Sequence, residues 1–190
     1  MDAPVSDPTY PLTSKRRRLP DEGVLEVFVA NEQSTHPVDT ARWQRLAERV
    51  LDAEGIRGDA ELSLLFVDEA TISELNDRFM GVREPTDVLS FPLEDDVVGA
   101  GRWPDNGPNG PSGHREDAGE PPLLLGDVVI CPQVAATNAP THAGTYDDEV
   151  ALLVVHGILH VLGMDHADPE EERAMQAKER SLLERFHTPS

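Results

Sequence analysis

Residues 156–166 read HGILHVLGMDH and hold three of the seven histidines of the chain. His156 and His160 are four residues apart in an apolar run, so both imidazoles leave the same face of a helix that turns ~100° per residue. Gly163 can adopt the positive φ that ends a helix, which lets the chain turn and bring His166 back. Three imidazoles with an open fourth position are typical of a catalytic rather than a structural zinc site.

The run that leads into these histidines is apolar on most faces of a helix, and it predicts a buried central helix that ends near Leu162. Acidic residues 147–149 complement the dipole at its N-terminus. Four strands are predicted at residues 24–30, 61–67, 86–91 and 123–130. The other helices are predicted at about 39–53, 68–79, 132–140 and 168–186.

This order of elements predicts an α+β fold. A small mixed four-stranded sheet packs with about five helices, and the metal site lies on the buried central helix and the turn after it. The 190 residues suit one domain. Residues 1–23 are predicted to be a disordered N-terminal extension, and residues 24–190 a single metal-dependent hydrolase domain with a flexible insertion at about 96–122. The basic residues 15–18 suit either a flexible tail or a tether to RNA.

The charge of the chain is strongly negative and unevenly placed. The formal net charge is −20, and no Lys or Arg occurs from Glu116 to Glu172. Such a field repels phosphate backbones and weighs against nucleic-acid binding. Arg42, Arg45 and Arg49 form a helical stripe that suits either a solvated face or a surface that binds phosphate.

The chain has no apolar run of ~18 residues and no apolar core near its N-terminus, so neither a membrane span nor secretion is expected. The single cysteine, Cys131, fits a reducing cytoplasm.

The histidine spacing also matches the zinc segment of metzincin peptidases, in which a glutamate follows the first histidine and acts as general base. Here Gly157 stands in that place and cannot take a proton. The pattern therefore favours metal-dependent hydrolysis of another kind. Zinc suits three imidazoles best, while nickel, cobalt and iron remain open. Asp165 suits a residue that orients an imidazole or holds the metal-bound water, and it equally suits an exposed turn.

Residues 156–166 resemble the signature of the bacterial YbeY family, the metal-dependent endoribonucleases of rRNA maturation. Leu75 and Asn76, followed by residues 85–92 (PTDVLSFP), resemble its central motif. Residues 126–132 (GDVVICP) resemble its last strand. The likeness covers about residues 24–186 in three motifs.

The resemblance implies a cytoplasmic, zinc-dependent, single-strand-specific endoribonuclease that acts in small-subunit rRNA 3′-end maturation and ribosome quality control. It implies zinc ligands at His156, His160 and His166. Its partners would be rRNA and the small ribosomal subunit, and neither DNA nor a membrane. The family carries an arginine after the aromatic residue of the central motif, and here Met80 follows Phe79.

Two functional hypotheses follow from that departure, an endoribonuclease and a binding factor. Arg78 or Arg83 would offset the charge that builds on the phosphate, with Asp165 as a further candidate. Thr86, Asp87 and Ser90 would line the cleft. The alternative is a metal-containing ribosome assembly factor with little catalytic activity, which binds phosphate through Arg42, Arg45, Arg49 and Arg57.

Overall fold

The structure, a computed structural model, describes residues 24–57, 59–93 and 122–188. The predicted extension at 1–23 and nearly all of the predicted insertion at 96–122 lie outside the described residues. The elements are β1 (Leu25–Asn31), α1 (Thr40–Ala53), β2 (Ala60–Phe66), α2 (Glu69–Met80), β3 (Val88–Pro92), β4 (Leu123–Ile130), α3 (Pro132–Asn138), a 3₁₀ turn (Ala139–Thr141), α4 (Tyr146–Val161) and α5 (Pro169–Phe186).

The four strands form one mixed sheet in the order β1-β2-β4-β3. β1 pairs in parallel with β2, and β2 pairs in parallel with β4. β3 closes one edge by running antiparallel to β4. With five α-helices in the described ranges, this architecture confirms the predicted α+β fold. None of these described helices is both long and apolar enough to cross a bilayer.

The two faces of the sheet carry cores of unequal size. Leu64 and Phe66 of β2 lie in the larger core, which α1, α4 and α5 cover. Leu65, between them, packs with the smaller core around Ile72 of α2. This alternation is the period of two that a strand imposes on its side chains. α4 is the central helix of the larger core, as predicted, since Val154 and Ile158 are fully buried.

The three helices predicted to begin at residues 39, 68 and 168 each have an aspartate cap at that position. Asp39 accepts a hydrogen bond from the backbone N–H of Arg42 at 3.0 Å, and Asp68 accepts one from Thr71 at 2.8 Å. Asp168 caps α5 through two backbone N–H groups. Each cap satisfies donors that a helix leaves unpaired in its first turn.

One large apolar side chain of α2 lies outside the core. Phe79 is 53% exposed. It lies in the last turn of the helix, and its ring contacts Phe91 of the edge strand β3 at 4.8 Å between centroids. No further strand lies beyond β3 to cover it in the described part of the sheet.

Gly157 allows α4 to approach the sheet closely. A Cβ built on this residue would lie 2.4 Å from Cγ1 of Val128 in β4 and 3.3 Å from Oγ of Ser90 in β3. The Ser90 hydroxyl donates a hydrogen bond to the carbonyl of Gly157 at 3.2 Å. Gly157, which occupies the position of the peptidase base, therefore has a packing role: it lets α4 lie close against β3 and β4.

We expect Gly157→Ala to destabilise the fold by about 1–3 kcal/mol, because the added methyl overpacks a fully buried contact. The midpoint of thermal unfolding should fall by roughly 2–12 °C. Val128→Ala removes the methyl groups that clash, so the double variant should lose less stability than the two single losses predict. Additive losses would contradict this packing role.

Candidate metal centre

The end of α4 brings the third histidine towards the first two. Gly163 has φ +90° and follows the last residues of the helix. Its N–H donates to the carbonyl of His160 at 2.9 Å, and the N–H of Met164 donates to Leu159 at 2.9 Å. These paired bonds are a Schellman motif, which a glycine in the left-handed region makes accessible. The chain therefore reverses at the residue that the sequence indicated.

The three predicted ligands converge. His156, His160 and His166 each offer a ring nitrogen, and these atoms all lie within 4.8 Å of one another. The Nε2 atoms of His156 and His160 are 3.1 Å apart. Both side chains are partly buried, whereas His166 is exposed. One side of the cluster is therefore open to a substrate.

The environment of His160 favours a neutral imidazole. Burial, and then repulsion from His156 and His166, lowers the pKa of His160. Nδ1 of His156 lies 2.7 Å from Oε1 of Glu179, which is largely buried on α5. A carboxylate on Nδ1 holds the proton there and leaves the Nε2 lone pair for a metal. The donor set thus fits a divalent transition metal such as zinc.

The cluster opens into a cleft of about 660 Å³. Its walls come from α4 and α5, from the start of β3, and from the loop before α4. The polar residues that line it are Asp87, His142, His156, His166, Glu172, Gln176, Glu179 and Arg180.

The predicted cleft residues of the central motif have different positions. Asp87 lines the cleft, and its carboxylate accepts hydrogen bonds from the Val88 N–H at 2.9 Å and the Asn138 amide at 3.2 Å. Thr86 donates to Asp87 at 3.3 Å. Ser90 is bonded to the backbone of α4 beside the first ligand. These contacts hold the start of β3 against α3 and α4.

Three other candidates lie outside the walls of the cleft. Asp165 is exposed, and its carboxylate accepts a hydrogen bond from the N–H of His166 at 2.7 Å. Arg78 is exposed with its guanidinium over the ring of Phe79, 5.2 Å from the centroid. Arg83 is also exposed. The Arg78 and Arg83 side chains are not among those that line the cleft in the described part of the chain.

The arginine stripe of α1 lines a second, smaller cavity of about 240 Å³, which we call the basic cavity. Arg42, Arg45 and Arg49 share it with the C-terminal residues 186–188. Arg42 is paired with Asp147 at 2.5 Å. Asp147 lies near the N-terminus of α4, nine residues before His156, so the basic cavity is roughly 14 Å along the helix from the three histidines.

The structure adds three cleft residues that the sequence did not reveal. Glu179 and Arg180 are in an acidic, polar helix whose charges are typical of a solvated face. His142 lies in a loop seven residues before Glu149, without the helical spacing that marked the other histidines. The sequence offered one signal for Arg180. Glu172, Gln176 and Arg180 are spaced by four, which places them on one face of the helix beside the apolar stripe that holds Met175 and Leu182.

Fold and site together define a class: a small α+β protein whose buried central helix carries a three-histidine site of the kind found in metal-dependent hydrolases. The family model for Endoribonuclease YbeY matches residues 28–187. The chain therefore belongs to the Endoribonuclease YbeY family.

Individual relatives agree with this membership. Endoribonuclease YbeY of Salinispora tropica is 46% identical over 159 residues, which cover 84% of this chain and 94% of the relative. The Beutenbergia cavernae protein of that name is 46% identical over 162 residues, or 85% and 97% of the two chains. The solution structure of TM1509 from Thermotoga maritima superposes with a TM-score of 0.52 at 26% identity, and covers 85% of this chain and 89% of that one.

Proposed function

We propose that this protein is a zinc-dependent, single-strand-specific endoribonuclease that acts in small-subunit rRNA 3′-end maturation and ribosome quality control in the cytoplasm. The observation that carries the proposal is the convergence of three imidazole nitrogens within 4.8 Å at the mouth of an open cleft. Membership of the Endoribonuclease YbeY family supplies the reaction class and the RNA substrate. Association with the small ribosomal subunit belongs to the same proposal.

His156, His160 and His166 would hold the zinc ion. When bound, zinc supplies Lewis-acid chemistry: it polarises a phosphate oxygen and makes water a stronger nucleophile near neutral pH. Glu179 would keep His156 in the ligating tautomer through its contact with Nδ1. Asp87 would position the start of β3 at the cleft wall, with Thr86 and Ser90 as its neighbours.

Positive charge must offset the charge that builds on the phosphate during hydrolysis. Arg180 has the best position for this role, because its side chain lines the cleft with His156 and His166. Arg78 and Arg83 would bind the RNA beyond the cleft, near the edge strand that Phe79 contacts. Asp165 would restrain the turn that carries His166 through its bond to that residue's backbone.

The basic cavity would bind a second phosphate of the same RNA strand. Arg45 and Arg49 are one helical turn apart and exposed, so both guanidinium groups reach the same cavity. This local positive surface offers an anion a binding site on a chain whose net charge is −20.

Arg45→Glu should weaken the binding of single-stranded RNA and make it less dependent on salt. Loss of one phosphate contact lowers the slope of log K against log salt by about 0.7 to 1. Fluorescence anisotropy with labelled RNA at several salt concentrations measures both effects. Arg173→Glu is the matched control, because it makes the same charge change on α5. Arg173 lines neither the cleft nor the basic cavity, so this variant should leave the slope unchanged. Equal effects of the two variants would contradict the phosphate site.

The proposed activity is tested by incubating single-stranded RNA with pure protein, with chelator-treated protein and with the treated protein after zinc is restored. A His160→Ala sample accompanies them. Cleavage by the untreated and restored samples alone supports a metal-dependent nuclease. Salt-dependent association with ribosomal particles without any cleavage would favour the assembly factor instead, for which Met80 in place of the family's arginine is the motivating observation.

A further inference from the structure

Glu149 is a fully buried carboxylate that the proposed zinc chemistry does not use. It lies in the first turn of α4, where it is 0% exposed. Its oxygens lie 2.9 and 3.1 Å from Nδ1 of His142, and one of them accepts the N–H of Ala143 at 3.1 Å. Burying a charge costs free energy unless it is paired and hydrogen-bonded, and these contacts supply the pairing.

His142 connects this carboxylate with the cleft. Nδ1 of its ring contacts the Glu149 carboxylate, while the side chain as a whole is 60% exposed. The residue lines the same cleft as His156 and His166. Within the described part of the chain, its Nε2 has no hydrogen-bond partner. The arrangement is therefore a solvent-facing imidazole whose tautomer and orientation are fixed by an acid behind it.

The charges around His142 favour its protonated form. The hydrogen bond to Glu149 is the largest cause of the raised pKa of His142. Burial is the next largest and lowers it, while the negative charges of Glu149, Asp87 and Glu179 raise it further. Arg180 is the cation that shares the cleft walls. A histidine that stays protonated near neutral pH can give a proton to a leaving group.

We propose that His142 is the general acid of the RNA cleavage reaction and that Glu149 is its positioning residue. This inference rests on the proposed endoribonuclease function. A water oxygen bonds to phosphorus, and the bond from phosphorus to the ribose oxygen of the leaving strand breaks. His142 gives its Nε2 proton to that oxygen, and the proton lost by the water passes to solvent. His142 then regains a proton from solvent, so that one water is consumed for each bond cleaved.

His142→Gln should lower kcat by roughly 10²-fold or more, as expected for loss of a general acid, while KM and zinc content stay near the wild-type values. His36→Gln is the matched control, because His36 is a partly buried histidine that does not line the cleft. A substrate in which sulfur replaces the leaving ribose oxygen needs no proton, so His142→Gln should cleave it almost as fast as the wild type does.

The pH dependence distinguishes catalysis from a merely structural bond. Because the protonated form is active, wild-type kcat/KM should fall as pH rises through the pKa of His142. Glu149→Gln removes the group that raises this pKa, so the decline should move to lower pH. Histidine NMR of the same two proteins should show the His142 titration moving in parallel, which is a readout independent of activity.

The outcomes separate this inference from the proposed function. If His142→Gln keeps wild-type kcat and the same alkaline decline while His160→Ala is inactive, the nuclease stands and the general acid is wrong. A loss of activity that the sulfur substrate does not restore would also overturn the role of His142. If the wild type cleaves no RNA, or if chelator leaves cleavage unchanged, the proposed function itself fails.

Discussion

His160→Ala is expected to abolish both zinc binding and RNA cleavage. His160 supplies one of three converging ring nitrogens, so its removal leaves two ligands, too few for a stable catalytic zinc site. Lewis-acid stabilisation of several kcal/mol is lost with the metal, and each 1.36 kcal/mol is a factor of ten, so cleavage should fall by about 10³-fold or more. Metal analysis and a gel-based RNA assay on the same preparation measure the two losses together.

The fold should survive this substitution. His160 lies in the last turn of α4. Burial and repulsion from the other two histidines lower its pKa, which favours the neutral imidazole, so the substitution removes no positive charge from the helix end. Circular dichroism should therefore match the wild type. His36→Ala, which removes a histidine outside the cleft, should keep full zinc content and activity. Equal cleavage by His160→Ala and the wild type would instead reveal a contaminating nuclease.

The features that the sequence predicted well are local ones. The convergence of His156, His160 and His166 follows from their spacing around a helix end, and Gly163 adopts the positive φ that this spacing requires. The capping aspartates also act within four residues of their own positions. Such contacts depend on the chain geometry of one segment, which the order of residues alone determines.

The features that it missed depend on contacts between distant segments. Glu179 reaches His156 across 23 residues, and its neighbours in α5 are mostly acidic, so nothing in the sequence separates it from a solvated face. The sequence shows that Gly157 occupies the position of the peptidase base. Its close approach to Val128 follows only from the packing of α4 on the sheet. The likeness of a motif drew attention to Arg78, whereas packing puts Arg180 in the cleft wall.

The contact between Glu179 and His156 is a long-range contact whose effect on zinc affinity can be measured. Its carboxylate lies 2.7 Å from Nδ1 of His156, and its side chain is largely buried between the two apolar neighbours Met175 and Leu182 on the same face of α5. An acceptor in that position fixes the imidazole tautomer and makes the opposite nitrogen a stronger ligand. Glu179→Gln keeps the shape of the side chain but removes its charge, so its interaction with Nδ1 of His156 becomes weaker.

Zinc affinity of Glu179→Gln should therefore fall by about 10- to 100-fold, measured by competition with a chromogenic chelator. Glu172→Gln is the matched control, since Glu172 lines the same cleft and loses the same charge, while its carboxylate accepts a hydrogen bond from the Gln176 amide. If both variants lose zinc affinity equally, Glu179 acts only through the general negative charge around the site. A loss confined to Glu179→Gln, with unchanged thermal unfolding of the zinc-free protein, assigns it to the orientation of His156.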